Sequence, residues 1–210
     1  MEKNELLDFV RQMKTRDHVI LFYSKPEDKR EVLFTYLKTG LDGGEAAAYV
    51  AAQETPDQIR DGMRSFGVNV DELEKTGALH IIDCEDWYFK GGAFSISRVM
   101  ELWVNLYHRV VARGFKGLRV TGEMAGFFEK KMVKELVEYE RSLHRVLEFP
   151  MTAICAYDIN VVAKEGRGEL YVDLIKAHST ALFSGPEAGV VKTPSSTVAT
   201  SILVGTPTSG

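Results

Sequence analysis

Cysteine is scarce in this chain. Cys84 and Cys155 are the only two in 210 residues, and neither belongs to a CxxC pair. That excludes a disulfide framework, a zinc ribbon and a dithiol redox motif, and it points to a reducing compartment. Both thiols read as small buried hydrophobes at strand ends. No apolar run approaches the ~20 residues that a membrane span requires. The opening Met1-Glu2-Lys3-Asn4-Glu5 is charged, unlike a signal peptide, so the expected location is cytoplasmic, with no membrane partner. Basic charge is not in surplus: 26 Lys and Arg face 30 Asp and Glu, for a net charge of −4. A chain that must neutralise nucleic-acid phosphates carries the opposite balance, so nucleic acid is not an expected partner. HxH, HExxH and GxSxG spacings are missing, so no metal, no cofactor and no serine nucleophile is expected.

What is present is globular composition, 45% hydrophobic and 27% charged, enough to bury a real core. Short continuous apolar runs of the kind that suit strands buried on both faces recur at 18–23, 45–52, 78–83, 118–121 and 150–157. Helical spacings lie between and around them. Residues 2–15 place Leu6, Leu7, Val10 and Met13 on one face. Further helices follow Pro26 and the Thr55-Pro56-Asp57 start, whose cap, first-turn proline and acid come in order. Longer helices are predicted over about 95–113 and 128–147, and a last one over 169–183. Residues 84–93 read as a loop carrying Trp87 and Tyr88.

Strands alternating with helices predict an α/β fold: three layers, α/β/α, around a mainly parallel sheet of about five core strands with right-handed crossovers. The chain divides into an N-terminal helix (1–15), one domain (16–184) and a Thr/Ser/Gly-rich tail (185–210). The tail is polar except for Val190-Val191 and Ile202-Leu203-Val204. It reads as weakly structured, with room for one edge strand, and its apolar ends suggest a homo-oligomer.

Ligands of parallel sheets bind beyond the carboxyl ends of the strands. The candidates are therefore Tyr23 and Ser24, Gln53 and Glu54, Asp83 and Glu85, Thr121 and Glu123, and Tyr157 and Asp158. The first strand–loop–helix is where a GxxxxGK[ST] phosphate loop would sit. Here residues 23–30 read Tyr-Ser-Lys-Pro-Glu-Asp-Lys-Arg. No glycine brings backbone N–H groups onto a phosphate, and Pro26 removes one N–H. Lys29 is left as an anion contact. Glu123 either binds a ligand or is satisfied by backbone N–H groups or an arginine, Arg119 or Arg141. Trp87 and Tyr88 either cover a pocket or pack beneath the loop. His18 and Glu45 begin strands at the opposite end of the sheet and are expected to form a structural pair. The run Glu138-Tyr139-Glu140-Arg141 reads as a solvated helix face from which Tyr139 can turn inward. Cys84 and Cys155 lie about three strand spacings apart, roughly 14 Å, too far for a disulfide.

Several stretches together resemble the MEDS family, the methanogen/methylotroph sensory domain. They are His18 with Phe22-Tyr23; Gly40-Leu41, Gly44-Glu45 and Tyr49; Tyr88 and Gly92-x-Phe94; Gly117-Leu-Arg-Val-Thr-Gly-Glu-Met124; Glu138-Tyr139-Glu140; Cys155-x-Tyr157-Asp158; and Asp173-Leu-Ile with His178. The resemblance covers about residues 16–184 and implies a RecA/KaiC-like layout without the phosphate loop, with strand order 3-2-4-5-1. It implies a sensory role in microbial signal transduction, with hydrocarbon derivatives as ligands and a kinase or transcription regulator as partner. Family members often carry an aromatic after Glu-Met-x, where this chain has Ala125-Gly126.

Three functions fit these residues. The first is a non-catalytic sensor holding a small molecule between Tyr23, Gln53, Tyr88, Glu123, Tyr157 and Asp158, and signalling to a separate partner protein. The second is a nucleotide-binding ATPase with Glu123 as catalytic carboxylate and Lys29 on phosphate. The third is a ligand-free interaction module.

Overall fold

A computed structural model describes residues 3–146, 150–185 and 188–193. Along the chain run α1 (Lys3–Arg11), β1 (His18–Tyr23), α2 (Pro26–Asp42), β2 (Ala46–Ala51), α3 (Pro56–Ser65), α4 (Val70–Thr76), β3 (Leu79–Asp83) and α5 (Cys84–Trp87). After a 3-10 turn at Lys90–Gly92 come α6 (Ile96–Ala112), β4 (Leu118–Glu123), α7 (Ala125–Glu129), α8 (Val133–Val146), β5 (Met151–Asp158), α9 (Ile159–Lys164), α10 (Gly168–Lys176), β6 (Thr180–Ser184) and β7 (Gly189–Lys192).

Local chemistry explains the element ends. Thr55 and Gln58 form a reciprocal capping box ahead of α3, with Pro56 in its first turn. Ser95 caps α6. The expected loop at 84–93 is coiled into α5, because the Asp83 carboxylate accepts the Glu85 N–H at 2.8 Å and starts a turn. The expected helix over 128–147 is two helices. Lys131 adopts a left-handed φ of 58°, which separates α7 from α8.

The sheet order is β3-β2-β4-β5-β1-β6-β7. The first five strands of that order follow 3-2-4-5-1, all parallel. β6 adds a further parallel strand beside β1, and β7 returns antiparallel along the edge. The helix expected over 169–183 is therefore corrected: α10 stops at Lys176, and Thr180–Ser184 is a strand. Thr180-Ala-Leu-Phe is too short an apolar run to show its type from pattern alone, and pairing to β1 decides it. Val190-Val191 supplies the expected edge strand; Ile202-Leu203-Val204 lies outside the described residues.

Strand side chains alternate between two core layers. Even positions of β1 and β4 and odd positions of β5 face α6 and α8, where Phe22, Tyr88, Trp103, Phe127, Tyr139 and Tyr157 make an aromatic-rich layer. The opposite face, under α1, α2 and α3, holds Leu6, Leu21, Tyr23, Leu33, Tyr49 and Ile154. These two layers hold the polar clusters described next, one in each.

Candidate functional site

The first cluster sits at the carboxyl ends of the strands on the α2 face. Lys29, one turn into α2, is 1% exposed, and its Nζ lies 2.5 Å from Glu123 Oε1 and 2.7 Å from Glu54 Oε2. Glu123 also accepts the Tyr49 hydroxyl at 2.6 Å and the backbone N–H groups of Ala52 and Gln53 at 2.9 and 2.6 Å. The Gln53 side chain accepts the Tyr23 hydroxyl and donates to Asp158 Oδ2 at 3.0 Å. Arg30 forks onto Glu54 from outside.

At the centre of this cluster two cations, Lys29 and Arg30, face Glu54 and Glu123, with Asp158 at its edge beyond Gln53. Burial acts to raise the Glu54 carboxyl, but Arg30 and Lys29 outweigh it and hold it below the usual carboxylate range. Burial, then the Glu123, Asp158 and Glu54 carboxylates, push the Tyr23 phenol well above its ordinary value. Glu123 is thus satisfied by backbone N–H groups and by a lysine. Arg119 goes to Glu45 and Arg141 to Asp173.

Four of the six expected ligand residues, Tyr23, Gln53, Glu123 and Asp158, do meet here. Tyr88 and Tyr157 do not. Tyr157 neighbours Asp158 in sequence but points to the opposite face, because successive strand side chains alternate. Its hydroxyl donates to Glu140. Tyr88 is buried against Phe127 and Tyr139, with ring centroids 5.3 and 5.7 Å apart. Beside Tyr23 and Asp158 opens a cleft of about 350 Å³ between the ends of β1 and β6, lined by Phe22, Tyr23, Ser24, Ile159, Phe183, Ser184 and Gly185. The Phe22 and Phe183 rings stack there at 5.4 Å.

The expected pair of His18 and Glu45 does not form. β5 and β4 separate β1 from β2, and the two side chains point to opposite faces. Glu45 accepts Arg119 Nε at 2.7 Å, and the Arg119 guanidinium lies over the Tyr36 ring at 5.1 Å.

His18 belongs to a second cluster, in the aromatic layer. Its Nε2 lies 3.3 Å from Glu140 Oε2. His178 Nε2 approaches the same oxygen at 3.4 Å, and the two imidazole centroids are 4.0 Å apart. Cys155 Sγ is 3.3 Å from Glu140 Oε2 and 3.4 Å from His18 Nε2. All four side chains are buried, none more than 3% exposed. Burial alone would raise the Glu140 carboxyl; His178 and His18 outweigh it and hold it well below the usual range. Burial and the Glu140 charge push the Cys155 thiol well up. Glu140 was expected on a solvated helix face. One helical position from Tyr139, it faces the sheet instead, and spacing alone did not reveal it. The signal was in the matching stretches, which included all four residues separately.

The fold and several sequence stretches have known counterparts. An archaeal KaiC-like protein from Pyrococcus horikoshii aligns with a TM-score of 0.57 and 18% identity, over 84% of this chain and 76% of that one. Transcriptional repressor DcmR of Methylorubrum extorquens is 23% identical over 168 residues, 77% of this chain. This chain spans only 58% of the length of DcmR. A UPF0273 protein of Thermotoga maritima is 42% identical over 57 residues, 27% of this chain and 22% of that protein. The model of the MEDS family (methanogen/methylotroph, DcmR sensory domain) matches residues 17–178, more than half of the sequence, and the chain belongs to that family.

Proposed function

We propose that this chain is a non-catalytic sensor, which takes a small, largely apolar organic ligand into the cleft between β1 and β6 and passes the bound state to a separate regulatory protein. The observation that carries this is the fate of Lys29. In a nucleotide-binding relative of this fold, a lysine early in the helix after β1 would meet phosphate. Here that lysine is buried between Glu54 and Glu123. An incoming triphosphate would have to displace two carboxylates and would find no glycine-rich turn to receive it. The neighbouring cleft offers Phe22, Phe183 and Ile159 as apolar wall, with Tyr23, Ser24 and Ser184 as its polar residues. Hydrocarbon derivatives, the ligand class the family resemblance implies, match that lining. A regulatory role agrees with the relative named as a transcriptional repressor, and it makes a transcription regulator or kinase the expected partner.

The test is thermal unfolding of the full chain with a panel of short halogenated and methylated hydrocarbons, and separately with ATP and ADP. A stabilising shift with a panel member, lost in Phe183→Asp, is the expected result. A shift with ATP or ADP alone would overturn the proposal in favour of a nucleotide site.

A further inference from the structure

We propose that His18, Glu140, Cys155 and His178 form a tetrahedral binding site for a divalent transition-metal ion of the zinc class, closed inside the protein. The site is separate from the cleft and independent of its ligand. His18 starts β1, Cys155 lies in β5, Glu140 comes from α8, and His178 follows α10. No linear spacing connects them, which is why the absence of HxH and HExxH misled.

Geometry is the first support. Tetrahedral bonds of ~2.0–2.3 Å place ligand atoms about 3.2–3.8 Å apart. Four of the pairs here stand at 3.3, 3.4, 3.3 and 3.4 Å, and all four ligand atoms lie within 4.8 Å of one another. The ligand types suit a borderline cation: two imidazoles, one thiolate and one carboxylate.

The surrounding groups are the second support. His178 Nδ1 lies 2.7 Å from the Leu174 carbonyl, an acceptor only, so Nδ1 carries the proton and donates it. Nε2 is left facing Glu140 Oε2, and it makes no hydrogen bond among the described residues although it is buried. With Nδ1 committed to Leu174, His178 Nε2 and Glu140 Oε2 are left facing one another, and a cation placed between them is ligated by both. Tyr157 donates to the other oxygen, Glu140 Oε1, and so turns Oε2 to the common point. A histidine held by a backbone carbonyl and a carboxylate held by a hydroxyl are the outer supports that metal ligands ordinarily have.

Charge completes the case. In the metal-free protein the Cys155 S–H donates to Glu140. On binding, that proton leaves to solvent and a metal–sulfur bond replaces it. One dication, one thiolate and one carboxylate then sum to zero, which suits a fully buried centre. Because a proton is released, binding strengthens as pH rises.

The experiment is metal analysis of the full chain purified without chelator, followed by stripping and titration with Co²⁺. The expected result is one Co²⁺ per chain, with intense tetrahedral ligand-field bands and a thiolate-to-metal charge-transfer band. Cys155→Ser should abolish the charge-transfer band. His178→Ala should weaken binding by more than the ~10–100-fold that losing an outer support costs. Both variants are checked for folding by circular dichroism in chelator, and Cys155→Ser is close enough in shape to keep the comparison open if His178→Ala unfolds. Wild-type protein that takes up no Co²⁺, or Co²⁺ that binds equally well in Cys155→Ser with an unchanged spectrum, would overturn the proposal. In the first case the cluster is a buried imidazolium–carboxylate pair; in the second the metal sits elsewhere.

Discussion

Replacing Lys29 by Met tests whether the ion cluster at the strand ends is a closed unit. The substitution keeps the apolar stem and removes the charge that Glu123 and Glu54 share at 2.5 and 2.7 Å. Breaking a buried pair from one side costs about 3–5 kcal/mol, because the partner charge stays in a low-dielectric site. Two features place Lys29→Met near the lower end. Glu123 keeps the Tyr49 hydroxyl and two backbone N–H groups, and Glu54 keeps Arg30. A loss of about 3 kcal/mol is expected, read in urea unfolding, or about 6–12 °C in melting temperature for a chain of this size. The double variant Lys29→Met/Glu123→Gln should recover at least ~1.5 kcal/mol of that loss. Glutamine still accepts from the two backbone N–H groups, and no charge is left unpaired. A single variant within ~1 kcal/mol of the parent would mean that Glu123 does not depend on Lys29, and the reason given for excluding phosphate would fall with it.

Other perturbations bear on separate features. Gly40→Ala removes a helix-interior glycine, a gain of about 1 kcal/mol, but its new methyl overlaps the Arg119 side chain, itself fixed by Glu45 at 2.7 Å and the Tyr36 carbonyl at 3.1 Å. Overpacking of ~1–3 kcal/mol wins, so the melting temperature should fall, and a rise would show that Arg119 moves freely. Tyr139→Phe orphans the buried Trp103 indole N–H, which donates to it at 3.0 Å; a loss of ~1–3 kcal/mol with altered tryptophan fluorescence is expected. Lys131→Gly relieves the left-handed φ of 58° between α7 and α8 and should change stability by a gain of up to ~1 kcal/mol, measured by chemical unfolding. The Glu54 carboxyl titrates lower when folded than when unfolded. Its contribution is therefore complete at neutral pH and is lost as pH falls through and below the ordinary carboxylate range. Glu54→Gln should flatten the acid limb of melting temperature against pH, and an unchanged limb would remove Glu54 from that role.

Five strands and their order were legible because each is a short apolar run between helical spacings, and the Gly117–Met124 stretch tied the pattern to a known layout. Side-chain direction was harder. Tyr157 and Asp158 are adjacent in sequence and read as one patch, yet the pleat sends them to different layers. Glu140 reads as solvated because it stands in a charged run with Glu138 and Arg141, which are indeed exposed, and a charge seldom faces a sheet without partners. Those partners, His18 and His178, lie 122 and 38 residues away, beyond the reach of any local pattern. β6 was missed for a related reason: Leu174-Ile175 and Ala181-Leu182 can be threaded onto one helix until the turn at His178 and the free edge of β1 are known.

The small hairpin of β6 and β7 joins two ends of the molecule. Phe183 and Ser184 line the cleft, while at the other end Thr180 sits opposite Lys192. Four residues of extended chain separate them, about 13 Å. The backbone leaving β7 therefore departs from the base of the sheet, on the far side from the cleft. β6 runs like a stiff rod between the two, clasped by β1 along its whole length. Phe183 lies at one end of that rod, and His178, two residues before the strand begins, sits at the other.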